Sequence, residues 1–125
     1  MKNPKKKGFT VSFAHYPLLC SSSAANCKND KTLLKDYFDL MFDNKVNLYI
    51  GAHHHTYERI YPYYQDGTIK KISSPYYSNE TYLLSIVEAV PGNDKSIVES
   101  YDTILDFTAS YTFNQTGFGV LSANE

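Results

Sequence analysis

Lys31-Thr32-Leu33-Leu34-Lys35-Asp36-Tyr37-Phe38-Asp39-Leu40-Met41-Phe42-Asp43-Asn44-Lys45-Val46-Asn47-Leu48-Tyr49-Ile50-Gly51 decides the fold. Its first part keeps a helical period. Leu34, Tyr37, Phe38 and Met41 recur three and four apart, and Leu33, Leu40 and Phe42 widen the stripe. Asp30 stands where an N-cap belongs, and Lys35, Asp39 and Asp43 lie four apart on the other side. A helix is therefore expected from Lys31 to about Asn44, its stripe packed as core rather than used as a ligand site. Asn44-Lys45 ends it, and Val46–Gly51 returns as a short apolar strand.

Upstream, Gly8–His15 alternates apolar Phe9, Val11 and Phe13 with smaller residues, a strand pattern that Pro17 brings to a stop. Strand, loop, helix and strand in that order imply a βαβ-like unit in an α/β (mixed α+β) sheet. Downstream, 60–82 is rich in Tyr, Pro, Ser and Asp-Gly, without a helical period. It reads as a surface excursion with short hairpins. Tyr82–Val90 is a buried-strand candidate stopped by Pro91-Gly92-Asn93, and Phe118–Leu121 is another.

The chain is 125 residues long, 42% hydrophobic and 20% charged, which fits one globular domain and argues against a disordered chain. Net charge is −1 with a pI of about 6.4, so no global field draws it to nucleic acid or to an anionic membrane. No apolar run approaches a membrane span, and the Lys-rich start, Met1–Lys7, has no apolar run of signal-peptide length behind it. That basic run reads as a solvated lead-in.

Scarce residues concentrate in one place. Ala52-His53-His54-His55-Thr56-Tyr57-Glu58-Arg59 holds three of the 4 His and the only Arg. His15 and the His run each follow a strand, and ligands collect where parallel strands end. On an extended segment, His53 and His55 project to one side and His54 to the other. A lone His is usually structural, but an imidazole beside a His-x-His at neighbouring strand ends points to a metal. Carboxylates are the missing component. No Asp or Glu sits in a ligand motif at a strand end, and no phosphate loop or nucleophile elbow is present. Cys20 and Cys27 flank a small polar loop. They read either as a local disulfide of an oxidising compartment or as two unrelated thiols. Asn79-Glu80-Thr81 and Asn114-Gln115-Thr116 are N-glycosylation acceptors if the chain is secreted.

Two of these segments carry a resemblance. Val11-Ser12-Phe13-Ala14-His15-Tyr16-Pro17 resembles a strand ending in a metal-binding His followed by x-Pro, and Ala52–Arg59 resembles a Gly-His-x-His-x-Tyr-Glu-Arg segment. Both belong to the purple acid phosphatases, within the calcineurin-like metallophosphoesterases. The Cys20–Cys27 loop is similar to the short disulfide loop of the animal and protist type. Gly117-Phe118-Gly119-Val120-Leu121 is similar to the family's final strand. Ala52 replaces the commoner Gly.

The resemblance covers about 8–122 and implies the C-terminal portion of a four-layer αββα sandwich. It implies His15 and His53 as ligands of a divalent metal and His55 as a ligand of a ferric ion, in a dinuclear centre of Fe with Zn, Mn or Fe. His54 then supports the ligands from outside the coordination sphere or faces solvent, Tyr57 belongs to the motif, and Glu58 and Arg59 form a structural ion pair. The implied activity is hydrolysis of phosphate monoesters, and the implied compartment is secreted or lysosomal/vacuolar. The family's Asp-x-Gly, Gly-Asp-x-x-Tyr and Gly-Asn-His-Glu-like motifs are not found in the sequence. The whole of 1–125 is therefore expected to be a partial domain, with the N-terminal half of the same domain as its partner. The alternative is an inactive fragment or truncated paralogue with residual metal binding. A Tyr-rich module binding polyanions through its Lys-rich start is the third reading, and the net charge counts against it.

Overall fold

The structure is a computed structural model describing residues 8–21, 31–72, 82–89, 103–112 and 115–122, with the backbone alone at 31–35. The helix α1 spans Lys31–Asp43. It ends as a chain must when its last carbonyls need new donors. Val46 N–H donates to Met41 O at 2.9 Å and Lys45 N–H to Phe42 O at 3.0 Å, with Lys45 at φ 51°. This is a Schellman closure with a lysine where glycine is the relaxed choice.

Strand β1 is Val11–Phe13 and β2 is Leu48–Gly51. They run parallel in the register Val11↔Leu48 to Phe13↔Ile50, so the expected βαβ unit is present. Strand β3 is Tyr57–Ile60, β4 is Leu84–Glu88 and β5 is Thr108–Thr112. The five form one mixed sheet in the order β1-β2-β4-β3-β5. β4 lies parallel to β2, while β3 runs antiparallel to β4 and β5. With one helix among the described residues, this is an α+β-type domain.

The core lies between α1 and the sheet: Leu18, Met41, Val46, Tyr49 and Leu83 are buried together, with Phe38 and Phe42 against them. The buried helix face is thus Phe38, Met41 and Phe42, narrower than the expected stripe. Leu40 and Tyr37 are exposed. At 3.6 residues per turn, Leu40 stands about 200° round from Phe38. Leu33, Leu34 and the Asp30 cap lie outside the described residues. Paired residues share a sheet face, so Ser85, Val87, Glu58 and Ile60 join Tyr49 on the helix side. Val11, Phe13, Ile50, Leu84 and Ile86 point the other way.

Two expectations change here, and the apolar alternation of β1 does not bury Phe13. Phe13 is 72% exposed, because β1 is an edge strand and α1 covers the opposite face. Phe118–Leu121 forms no strand, and Phe118 is 87% exposed. Apolar alternation over four residues does not make a strand without a neighbour to pair with. The stretch after Arg59 is not only excursion, since Ile60 completes β3. The Asp-Gly hairpin is present, closed by the Tyr63↔Ile69 bridge with Gly67 at φ 84°.

Candidate functional site

Parallel pairing of β1 and β2 brings their C-terminal ends to one edge of the sheet. The pairing continues beyond both strands: Ala14 N–H donates to Ile50 O, and Ala52 N–H donates to His15 O, each at 3.1 Å. His15 and His53 leave that edge side by side. His53 Nδ1 lies 2.9 Å from His15 Nε2, and the ring centroids are 4.8 Å apart at 74°. The Tyr16 ring stands 4.5 Å from the His53 ring.

The histidine run is not extended. His53 has φ 63°, His54 N–H donates to Ala52 O at 2.8 Å and Thr56 N–H donates to His54 O at 2.7 Å. A two-residue side-chain period needs a pleated strand, and this run is a succession of tight turns. Two of the three expected ligands therefore meet, His15 and His53. Among the described residues, no group of three or more His, Cys, Asp or Glu is placed to hold a metal ion, so His55 does not complete the set. His54 is 0% exposed, inside the fold rather than facing solvent, with its ring 5.1 Å from that of His53.

The two imidazoles are hydrogen-bonded to each other, donor and acceptor set by the tautomer, and the same spacing can be compared with that of two nitrogens on one cation. With metal–nitrogen bonds of about 2.0–2.1 Å, two ligand nitrogens stand about 2.9 Å apart at a right angle and about 3.3 Å at the tetrahedral angle. The facing nitrogens already have the first spacing.

Glu58 is fully buried, and its partner is not the expected Arg59. Ser21 N–H donates to Glu58 Oε2 at 2.8 Å, and the Thr108 hydroxyl donates to Oε1 at 2.5 Å. Neighbouring residues on a strand face opposite ways, so Arg59 shares the other face with Tyr57 and Glu88. Ser21 Oγ lies 2.8 Å from Thr108 Oγ1 and accepts from Leu105 N–H at 3.0 Å. A carboxylate, two hydroxyls and two backbone amides are thereby linked. Cys20 is buried and is not a free thiol. Cys27, Asn79 and Asn114 lie outside the described residues.

Sequence reasoning passed over three residues at this edge. Glu88 ends β4 at the same end of the sheet as His15 and His53, on the face away from α1, so a carboxylate does sit at a strand end. Partial burial holds its carboxyl above the ordinary range. The other two are Tyr49 and Gly51. A tyrosine within a short, largely buried strand was the available signal. No family model matches the chain, and no curated protein or solved structure matches it.

Proposed function

We propose that the chain is the histidine-bearing portion of a purple acid phosphatase-like, calcineurin-like metallophosphoesterase domain that hydrolyses phosphate monoesters. The observation that carries this reading is the His53 Nδ1 to His15 Nε2 approach of 2.9 Å across two parallel strand ends. A divalent cation would replace the proton the two nitrogens now share in a hydrogen bond, and the 2.9 Å spacing supports that exchange because it is close to the separation of two imidazole ligands at a right angle. His15 would hold the cation through Nε2 with its proton on Nδ1, and His53 through Nδ1 with its proton on Nε2. His55 would serve a ferric ion. When bound, the dinuclear centre supplies Lewis-acid activation of the phosphate ester and of the attacking water. Tyr16, against the His53 ring, limits the rotation of that ring.

The sheet face away from α1, which no helix covers among the described residues, supports the four-layer αββα architecture. Parallel strands are ordinarily covered on both faces. Here α1 covers one, and the other carries Phe13, Ile50, Leu84 and Ile86. A second sheet from an N-terminal half of the domain would cover it. The same reading makes the chain secreted or lysosomal/vacuolar, pairs Cys20 with Cys27 and makes Asn79 and Asn114 glycan acceptors.

One observation favours a second reading, an inactive remnant that binds a single cation. No carboxylate joins His15 and His53 in a three-ligand group among the described residues. Calorimetric titration with Zn²⁺ and Mn²⁺ tests both. Binding that is lost in His15→Ala and in His53→Ala supports the pair, and wild-type binding no tighter than either variant overturns it.

A further inference from the structure

We propose that Tyr49 and Gly51 are positioning residues that set the spacing of the His15–His53 pair. The inference rests on reading that pair as a ligand site, and it concerns what, besides their mutual hydrogen bond, brings together two rings 38 residues apart in the chain.

His15 opens a turn, His15-Tyr16-Pro17-Leu18, which the sheet must hold in place. The structure fixes it at successive residues. His15 O accepts from Ala52 N–H at 3.1 Å. Tyr16 O accepts from the Tyr49 hydroxyl at 2.6 Å. Pro17 lies against Gly51 so closely that a Cβ there would stand 2.5 Å from Pro17 Cα and 2.9 Å from Pro17 N. Leu18 is buried in the same cluster as Tyr49. A side chain at 51 would push the turn off the sheet, because what it meets is backbone and not the yielding end of a side chain.

Tyr49 links two parts of the fold. Its ring is packed with Met41 of α1, and its hydroxyl reaches past the end of β1. Docking of the helix thus fixes the height of the turn that carries His15. Burial first, and the charge of Tyr37 second, hold the Tyr49 phenol above its ordinary range, so it stays a donor through neutral and mildly alkaline pH. On the opposite side, His53 is aimed by its left-handed backbone at φ 63°, a conformation that costs an L residue free energy. Two backbone restraints therefore converge on one ring-to-ring distance, and they act alongside the hydrogen bond between the imidazoles themselves.

The test uses the full chain, labelled at histidine, without metal and with Zn²⁺. Tyr49→Phe removes the hydroxyl and keeps the ring, so the core stays filled. Gly51→Ala introduces the clash. Tyr63→Phe removes another partly buried phenol, one stacked on Phe38, and serves as the control. In metal-free wild type, a nuclear Overhauser contact between the His15 and His53 rings is expected. It should weaken in Tyr49→Phe, vanish in Gly51→Ala and persist in Tyr63→Phe. Zn²⁺ affinity should fall about tenfold in Tyr49→Phe, the size of an outer-partner effect. His15→Ala with Tyr49→Phe should lose no more than His15→Ala alone. An unchanged ring contact and affinity in Tyr49→Phe overturns the proposal, as does an equal loss in Tyr63→Phe. A wild type that binds no Zn²⁺ but loses its ring contact in Tyr49→Phe overturns the metal reading and upholds the positioning role.

Discussion

The Thr108 hydroxyl donates to the buried carboxylate of Glu58, fifty residues earlier, at 2.5 Å. Glu58 also accepts from Ser21 N–H, so one side chain on β3 anchors the loop after Cys20 and the start of β5. No cation is needed for this role, because each carboxylate oxygen has its own donor.

Glu58→Ala should destabilise the domain by about 1–3 kcal/mol, since the Ser21 amide and the Thr108 hydroxyl lose their acceptor in a buried site. Glu58→Gln, which keeps the size and one acceptor oxygen, should cost less. Urea unfolding measures both. An alanine variant as stable as wild type would show that water replaces the carboxylate at no cost.

Lys45 and His53 are the two non-glycine residues with positive φ among the described residues, at 51° and 63°. Lys45 is exposed at a helix end, and Lys45→Gly should stabilise by about 0.5–1 kcal/mol by relieving that backbone. His53→Gly relieves the same kind of strain and should abolish Zn²⁺ binding, whereas Lys45→Gly should leave binding untouched. Thermal unfolding and calorimetry on the two variants check this. Loss of binding in Lys45→Gly would assign the effect to general disturbance of the domain.

Glu88 gives the pH dependence. Partial burial holds its carboxyl above the ordinary range, so the folded state binds the proton more tightly than the unfolded one. That contribution is fully present below the unfolded carboxyl range and is lost as pH rises through the raised folded value. Glu88→Gln should match wild type in stability at acid pH and exceed it at pH 7. Unfolding free energies measured across that interval decide, and parallel curves for the two proteins would contradict the assignment.

For activity, the isolated 125-residue chain should turn over p-nitrophenyl phosphate poorly or not at all at pH 5 with added iron and zinc. Two imidazoles bring no negative charge to offset that of two cations, and no carboxylate completes a ligand group with them among the described residues. Robust turnover that disappears in His53→Ala would mean that the pair recruits its remaining ligands from elsewhere in the chain.

Local patterns in the sequence determined α1, the strands β1, β2 and β4, the Asp-Gly hairpin and the arrival of His15 and His53 at neighbouring strand ends. Each depends on periodicity or turn chemistry within a few residues, which a linear reading detects. Tertiary structure decided the rest. β3 and β5 carry Thr, Ser, Tyr, Glu and Arg and become strands because each finds a partner to pair with. Phe118–Leu121 has strand-like residues and finds none among the described residues. The run after β2 is tightly turned rather than extended, so the two-residue period that would have aligned His55 with His53 does not hold, and His54 is buried. The Tyr49 hydroxyl, the Pro17–Gly51 approach and the Glu58 hub join residues 33, 34, 37 and 50 positions apart. Such contacts arise only when α1 docks on the sheet and the strands fall into register. The type of residue at the site was therefore legible in the chain, and the distances between those residues were not.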